Sequence, residues 1–312
     1  YDTEGLTNSG AKTEKVYYIG QNGDFTTFIG ALRALEGDNT PKILYVLNGV
    51  YDIYSELGGI DYLNTISSSS NWQDVSVFVP DNTKIIGLGD VTFNYLPEAE
   101  DFSNANQVTC VSPLNVVWNC EVENIKIYAK NCRYCIHDEA GGMGDGTPKR
   151  KKFKNVVAVK LPNTYHPEES YISGQAYASG MITGYAYEYD NCYFKSQENY
   201  AWTCHTGEGD YTDTGNIITI SNCIFESPSW SGIRFGSTQG TPTGIQKYCK
   251  VSILNSYIEN RILLTREAES APAPNQYELT LMCCNNVTIK DKFAEEGWTN
   301  IYTPKVFNTI GN

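Results

Sequence analysis

An alternation of apolar and polar residues with a period of two recurs through the chain, and its phase reverses at an asparagine each time. The copies read CEVENIKI (120–127), KKFKNVVA (151–158), YEYDNCYF (187–194), ITISNCIF (218–225), VSILNSYI (251–258) and MCCNNVTI (282–289). Aligned on Asn124, Asn155, Asn191, Asn222, Asn255 and Asn286, they are spaced by 31, 36, 31, 33 and 31 residues. A regular spacing of this size is typical of stacked, solenoid architectures.

The alternation indicates short strands with one face inward, and the phase reversal indicates a corner at the asparagine. Asparagine tolerates the left-handed conformation that such a corner requires, and its amide can bond to the asparagine of the next coil. The sequence therefore predicts an all-β protein, a right-handed parallel β-helix. Cys192 and Cys223 occupy the same inward place in two copies, so we expect them to stack as interior thiols.

The N-terminal region predicts a cap for the open end of this solenoid, which would otherwise expose a pairing edge. Phe25, Phe28, Ile29, Leu32 and Leu35 recur at helical spacing over 24–37, with Asp24 as the predicted N-cap. Segments 42–54 and 83–93 read as the first coils. We expect residues 1–60 to form the lead, capping helix and first coil, residues 61–290 the β-helix, and residues 291–312 a C-terminal cap or connector.

Charge and composition limit the function classes. The net charge of −13 argues against nucleic-acid binding, and no apolar stretch is long enough to insert into a membrane. The basic run PKRKK (148–152) is expected to be a solvated loop. Ten cysteines without a zinc-finger spacing indicate buried thiols and synthesis in a reducing compartment. The chain begins at Tyr1 without a secretory signal, which suggests that the natural N-terminus lies further upstream.

The N-terminal stretch GQNGDFTTFIGALRAL followed by ILYVLNGVYDIYSE resembles the start of pectin methylesterases and other pectate-lyase-like β-helix proteins. QEN at 197–199 is similar to the QDT motif of those esterases. Their GRPW motif does not occur here, and SGIRFG (231–236) lacks the aspartate of their DFIFG motif. The resemblance implies the fold, and the missing motifs argue against the esterase reaction.

A broader resemblance rests on GDFTTFIGALRAL, YDIYSELGG, VENIKIYAKNCRYCIHDEAGG, FKNVVAVK and YELTLMCCNNV. These segments are similar to tail-spike and pre-neck appendage proteins of tailed bacteriophages. The resemblance implies a homotrimeric virion protein, made in the host cytoplasm and attached to the tail or neck through an N-terminal part. It also implies binding to a host-surface polysaccharide or teichoic acid, with cleavage of the polymer in some members.

Candidate catalytic groups cluster at the ends of two coils. RYCIHDE (133–139) contains Asp138 and Glu139 beside His137 and Arg133, and His205 follows at a comparable place further along. Two carboxyls beside a histidine suit acid–base cleavage of a glycan. The alternative is a polar exit from a strand, with Arg133 paired to a carboxylate for structural reasons.

The candidate substrate-binding residues are aromatic residues, arginines and a histidine. Tyr200, Trp202, Trp230 and Arg234 could form a sugar-stacking platform, with Arg133 and His137 as further contacts, because aromatic faces pack on sugars and arginine pairs with acidic groups. Some of these side chains could instead belong to the core or to a trimer interface. No metal ligands and no cofactor are predicted, although the carboxylates at 208–213 leave a Ca²⁺ site open.

Three functions follow from these residues. The leading hypothesis is a module that binds host-surface polysaccharide, and the second is a polysaccharide depolymerase, either a glycoside hydrolase or a lyase. A purely structural spacer is the third, and the high tyrosine content and long loops argue against it.

Overall fold

The computed structural model describes residues 14–139, 150–165, 174–181, 186–206, 217–237, 249–266, 277–295 and 302–307. In chain order the strands are β1 (Lys15–Ile19), β2 (Lys42–Asp52), β3 (Phe78–Val79), β4 (Thr83–Tyr95), β5 (Leu114–Val116), β6 (Cys120–Glu123), β7 (Lys126–Ala129), β8 (Ile136–Glu139), β9 (Arg150–Lys154), β10 (Val157–Lys160), β11 (Tyr177–Met181), β12 (Ala186–Asp190), β13 (Tyr193–Ser196), β14 (Trp202–Thr206), β15 (Ile217–Ser221), β16 (Ile224–Glu226), β17 (Ile233–Ser237), β18 (Cys249–Leu254), β19 (Tyr257–Ile258), β20 (Arg261–Arg266), β21 (Tyr277–Met282), β22 (Thr288–Asp291) and β23 (Tyr302–Phe307). The helices are α1 (Phe28–Ala34), α2 (Ile53–Leu57), α3 (Gly59–Asn64), α4 (Trp72–Val75), α5 (Asn106–Thr109) and α6 (Lys292–Glu295), with a 3₁₀ turn at Ala99–Asp101.

The strands stack as a right-handed parallel β-helix, which confirms the predicted fold class. Successive coils place β6, β9, β12, β15, β18, β21 and β23 side by side, and β7, β10, β13, β16 and β19 form the next wall. The third wall is an eight-stranded sheet, ordered β3-β5-β8-β11-β14-β17-β20-β22 within the described residues. Each full coil therefore contributes one strand before the corner, one after it and one to the eight-stranded sheet.

The asparagine corners have the conformation expected from the sequence. Asn124, Asn155, Asn191, Asn222 and Asn255 have φ of 58°, 53°, 52°, 55° and 46°. Their amides form a ladder along the solenoid: Asn155 donates to Asn124 at 2.8 Å, Asn191 to Asn155 at 2.7 Å, and Asn255 to Asn222 at 2.7 Å. The ladder is interrupted once, because Asn222 donates to the Asp190 carboxylate at 2.9 Å instead.

The last corner differs from the prediction. Strand pairing aligns Leu254 with Met282, so Cys283 takes the place of Asn255 in the next coil, with φ of 53°. Asn286 is therefore not the corner residue. Cys284 follows the corner and is buried, in the place that Ser256 and Cys223 occupy in earlier coils. The alignment on Asn286 is wrong because two asparagines, at 285–286, follow the corner closely. The positive φ of Cys283 identifies the corner residue.

The interior is a single stack of apolar side chains with aromatic steps. The rings of Phe153 and Tyr189 are stacked at 5.4 Å between centroids, and those of Tyr177 and Trp202 at 5.8 Å. Cys192 and Cys223 are buried on adjacent coils, and the Cys223 Sγ lies 3.4 Å from the Cys192 amide nitrogen that donates to it. The expectation of stacked interior thiols is confirmed.

Helix α1 caps the N-terminal end, and its start differs from the prediction. Thr27, and not Asp24, is the N-cap, since its hydroxyl accepts the hydrogen bond of the Gly30 amide at 3.2 Å. The Asp24 carboxylate accepts from the Tyr18 amide at 2.8 Å and so shapes the turn before the helix. No helix among the described residues is both long and apolar enough to cross a lipid bilayer.

The first coils turn their corner without asparagine. Strands β2 and β4 run continuously through the region where the later coils bend, and pairing of Ile86 with Glu123 aligns Gly87 with Asn124. A Cβ at Gly87 would lie 2.2 Å from the Asn124 carbonyl oxygen. Glycine is therefore required where the continuous strand of one coil approaches the first asparagine corner of the next.

Candidate functional site

Two of the predicted site residues, His137 and Arg234, share the outward row of the eight-stranded sheet. Strand pairing aligns His137, Ala178, Thr203, Arg234 and Leu263 on five successive coils. The preceding residues in these strands are buried in the core, so this row faces the other way. The side chains of this row are spaced by one strand, about 4.8 Å. His137, Ala178, Thr203 and Leu263 are at most 4% exposed, whereas Arg234 is half-buried.

The N-terminal end of this row is closed. Trp72, from α4, lies 4.4 Å from the His137 ring between centroids, and Tyr134 lies 5.0 Å from it on the other side. His137 is consequently only 2% exposed, although it points away from the core. Direct contact of His137 with a polymer, as predicted, is contradicted by this cover.

Arg133 lies beside the covered histidine and is half-buried. Its Nε donates to the Tyr134 hydroxyl at 2.8 Å, and its guanidinium carbon lies 4.9 Å from the centroid of the same ring. The arrangement presents an arginine stacked on tyrosine at the edge of the outward row. Arg133 therefore remains a candidate contact, held by an aromatic ring.

A second group, which we name the platform, contains Arg234 of β17 and two aromatic residues of the turns that precede β14 and β17, Tyr200 and Trp230. The rings of Tyr200 and Trp230 meet edge to face at 5.4 Å, with an interplanar angle of 75°. Arg234 places its guanidinium carbon 5.3 Å from the Tyr200 centroid and donates to the Thr203 hydroxyl at 3.3 Å. Trp230 is 39% exposed, so a large part of this indole faces solvent.

The platform is built by the turns between the second and third walls of two coils. The Asn199 amide donates to the Ser196 hydroxyl at 3.0 Å, and its side-chain oxygen accepts from the Tyr200 amide at 2.8 Å. Ser227 in the next coil donates to the Asn199 carbonyl at 2.7 Å, which ties the two turns together. Gly232 allows the following coil to approach, because a Cβ there would lie 2.9 Å from the Glu259 carbonyl oxygen.

A depression of about 390 Å³ adjoins Trp230. Its lining residues are Pro228, Ser229, Trp230, Asn260, Arg261 and Thr288. Sites for small ligands occupy about 300–1,000 Å³, so the depression is large enough to hold a portion of a ligand. The Arg261 Nε donates to the Ser231 hydroxyl at 2.9 Å, which holds this second arginine beside the indole.

Trp202 does not belong to the platform. Its side chain is 0% exposed, stacked on Tyr177 inside the solenoid and edge-on to Phe235 at 5.5 Å. The prediction that Trp202 contacts a sugar is wrong, because it occupies the inward phase of β14. Thr203, the next residue, takes the outward place.

Asp138 is also directed inward, which contradicts its predicted role as a catalytic acid. The side chain is 1% exposed and contacts Lys151 Nζ, while its second oxygen accepts from the Tyr177 hydroxyl at 2.5 Å. A polymer outside the solenoid cannot reach this carboxyl.

Lys151 is a buried residue that the sequence reading missed. It was expected in a solvated loop, yet it lies in β9 at 1% exposure and donates to the Val116 carbonyl at 3.0 Å. Its spacing contains the signal: it stands two residues before the inward Phe153 and therefore shares that phase. Burial lowers the pKa of Lys151 to about 7, opposed by the neighbouring Cys120 and Asp81.

Glu139 and His205 are aligned in the backbone. The strand registers pair Glu139 with Gly180, and Gly180 with His205, on three successive coils. Two strand spacings amount to about 10 Å. The side chains of Glu139 and His205 lie outside the described residues.

The described residues contain no group of three His, Cys, Asp or Glu side chains that could hold a metal. The carboxylates at 208–213, considered for Ca²⁺, lie outside the described part of the chain. Cys132 and Cys135 are buried, and burial raises the pKa of both thiols, that of Cys132 to about 11. A protonated, buried pair of this kind is unsuited to redox or zinc chemistry.

The chain is similar to crystal structures of the pectin methylesterase from Aspergillus niger. The deglycosylated form is 13% identical, with a TM-score of 0.40 over 92% of this chain and 88% of that one. The penultimately deglycosylated form is 12% identical, with a TM-score of 0.34 over the same shares. No protein-family model and no curated protein matches the chain. Similarity at this level concerns the fold alone.

Proposed function

We propose that the chain is a receptor-binding protein of the bacteriophage tail-spike type, which binds polysaccharide or teichoic acid on the host surface through the platform. The observation that carries this proposal is the partly exposed Trp230, held edge-on by Tyr200, whose ring is also covered by the Arg234 guanidinium. Aromatic rings supply a flat apolar surface for the C–H faces of sugars, and arginine supplies paired donors for phosphate or carboxylate.

The platform suits a charged polymer in spite of the acidic chain. Arg261 lines the depression beside Trp230, and Arg234 on the preceding coil lies over the Tyr200 ring, so two cationic side chains are available to an anionic polymer at the platform. Both guanidinium groups are fixed by hydrogen bonds to hydroxyls, Arg234 to Thr203 and Arg261 to Ser231. Arginines that are already oriented lose less entropy when they bind an anion.

The test is retention of purified protein on capsular polysaccharide and teichoic acid from candidate hosts. We expect Trp230→Ala to weaken retention about tenfold or more, which corresponds to about 1.4 kcal/mol. Tyr18→Ala is the matched control, because Tyr18 is 44% exposed on a distant coil. Equal retention of the Trp230→Ala and wild-type proteins would refute the platform, provided that both melt at the same temperature.

Substitution of Arg234 tests whether the bound polymer is anionic or neutral. Replacement by lysine keeps the charge but removes the bidentate donor pair and the stacking on Tyr200. For an anionic polymer we expect Arg234→Lys to weaken binding while its dependence on salt stays nearly the same, because the charge is kept. Unchanged binding to a neutral polymer would exclude Arg234 from recognition.

A second candidate function, depolymerisation of the same polymer, is favoured by the register that aligns Glu139 and His205 about two strands apart. Release of reducing ends or unsaturated sugar ends from the polymer would reveal it. In that case Glu139→Gln and His205→Ala should each abolish cleavage while retention persists. Binding without any cleavage would leave the receptor-binding function alone.

Assembly as a homotrimer on the virion is part of this proposal. Ile224 and Tyr257 are exposed and paired in register on adjacent coils of the second wall. Three linked sites would raise the effective concentration of weak ones. Light scattering of the purified chain tests the trimer, and a monomeric mass at working concentration would contradict it.

A further inference from the structure

The interior of the solenoid contains one acid–amine contact that the proposed function does not use. Asp138 lies in β8, the last strand of one coil, and Lys151 lies in β9, the first strand of the next, and both side chains are 1% exposed. Lys151 Nζ and Asp138 Oδ1 are in direct contact. The Val116 carbonyl accepts from Nζ at 3.0 Å and fixes the amine from the other side.

The surroundings of this contact exclude water. Phe153, Tyr177, Tyr189 and Trp202 are all fully buried and pack on one another in this part of the core. A buried ion pair is costly in such a place, and transfer of one proton from the ammonium to the carboxylate gives a neutral amine and a neutral acid. Burial lowers the pKa of Lys151 to about 7, which supports the neutral amine.

A hydrogen-bond chain is directed at the other carboxyl oxygen. The Tyr189 hydroxyl donates to the Tyr177 hydroxyl at 2.7 Å, and Tyr177 donates to Asp138 Oδ2 at 2.5 Å. Burial raises the pKa of Tyr177 far above its usual value, so this hydroxyl keeps its proton and remains a donor. It is placed where negative charge would develop on Oδ2 during attack at the Asp138 carboxyl carbon.

We propose that the Lys151 ε-amine and the Asp138 carboxyl condense to an intramolecular isopeptide bond inside the β-helix. The Nζ lone pair attacks the carboxyl carbon, and the Tyr177 hydroxyl stabilises the resulting oxyanion. The new C–N bond replaces one C–O bond. The departing oxygen takes one proton from the amine and one from the acid and leaves as water, so no oxidant, reductant or further reactant is required. Fixed proximity and exclusion of water supply the driving conditions.

The bond would join β8 covalently to β9, the last strand of one coil to the first strand of the next. It would close the segment between residues 138 and 151 into a ring, and a short covalent ring restricts the unfolded chain in the way a disulfide does. A protein with ten cysteines and no disulfide among its described residues would thereby gain a cross-link that reducing conditions do not break.

Intact-mass measurement of the denatured, reduced full chain is the decisive experiment. We expect a mass below that of the sequence by one water, and a branched peptide after digestion that joins the segments containing Asp138 and Lys151. A mass equal to that of the sequence, with Lys151 cleaved as an ordinary trypsin site, would overturn the proposal.

Two variants locate the bond. Lys151→Arg keeps the charge but removes the reactive amine, so its mass should equal that of its sequence. Asp138→Asn should lose ammonia in place of water. Lys160 provides the control, because it is also buried and donates to the Asn163 side-chain oxygen at 2.6 Å. Lys160→Arg should retain the loss of one water. Loss of ammonia from the wild-type chain would point to the Lys160–Asn163 pair and refute the proposed site.

Discussion

Two tryptophans on successive coils illustrate how one sheet serves two purposes. Trp202 lies in β14 with no exposed surface, between Tyr177 and Phe235, whereas Trp230 precedes β17 and leaves 39% of its surface in solvent. Both rings make edge or stacking contacts with a tyrosine. The inner ring fills core volume between other aromatic rings, and the outer ring packs on Tyr200 while leaving part of its surface in solvent.

The difference teaches that burial in a β-helix depends on strand phase and also on what covers the outside. His137 and Arg234 share the outward row, yet α4 brings Trp72 onto His137 while Arg234 remains half-buried. Strand phase directs Trp202 inward and Thr203 outward, yet both are buried. Cover separates the closed end of the outward row from the platform.

The largest expected effect separates the two tryptophans by stability. Trp202→Ala should reduce the free energy of unfolding by about 3–5 kcal/mol, because it leaves a large cavity in a close-packed core. Trp230→Ala should reduce it by less than about 1 kcal/mol, because its ring is packed on one side only. Chemical denaturation of both variants measures the contrast, and similar losses for the two would show that Trp230 is a core residue.

Corner asparagines should behave as structural residues although they are exposed. Asn155 has φ of 53° and links Asn124 to Asn191 through its amide. Asn155→Ala should cost about 1–3 kcal/mol of unfolding free energy, from backbone strain and lost hydrogen bonds.

The variant Asn155→Gly separates these two causes, since glycine adopts positive φ but has no amide. We expect it to recover the strain portion only. If the glycine variant were as stable as wild type, the amide ladder would contribute nothing.

The last corner offers the opposite test. Cys283 holds φ of 53° without the tolerance of asparagine for that conformation. Cys283→Asn should raise the free energy of unfolding by about 0.5–1 kcal/mol, since it relieves the strain and extends the ladder to Asn255. A thermal shift in the other direction would show that the thiol makes contacts worth more than the relief.

The smallest effect concerns an outer polar contact. The Glu226 carboxylate accepts one hydrogen bond from the Tyr193 hydroxyl at 2.6 Å and another from Lys195 Nζ at 3.0 Å. Both bonds lower the pKa of Glu226. The contribution to stability is therefore present above the unfolded pKa of about 4.3 and is lost as the pH falls through the folded value.

Glu226→Gln should remove this part of the acid dependence while changing stability at neutral pH by about 0–1 kcal/mol. Melting temperatures of wild type and variant, recorded from neutral to acidic pH, should converge at the acid end. A constant difference over the whole range would contradict the assignment.

Much of the fold was predictable because it depends on local periodicity. The alternation with period two identifies the inward residues of each strand, and the asparagine at each phase reversal marks the corner. The same phase rule would have placed Lys151 inside, had its charge not suggested a loop. Asn286 shows the limit of composition: an asparagine near a corner is not the corner when a cysteine holds the left-handed conformation.

By itself the sequence determined the solenoid, its stacked interior thiols and the position of its first five asparagine corners, because these follow from the order of residues within one coil. Tertiary structure alone decided the two sites. The platform combines Tyr200 with Trp230 and Arg234 of the following coil, and the interior contact joins Asp138 to Lys151 across a turn. These residues meet because the coils stack at a fixed register, and neighbouring elements decide which of them are covered. Neither the register between coils nor the cover by other elements follows from the spacing of residues within one coil.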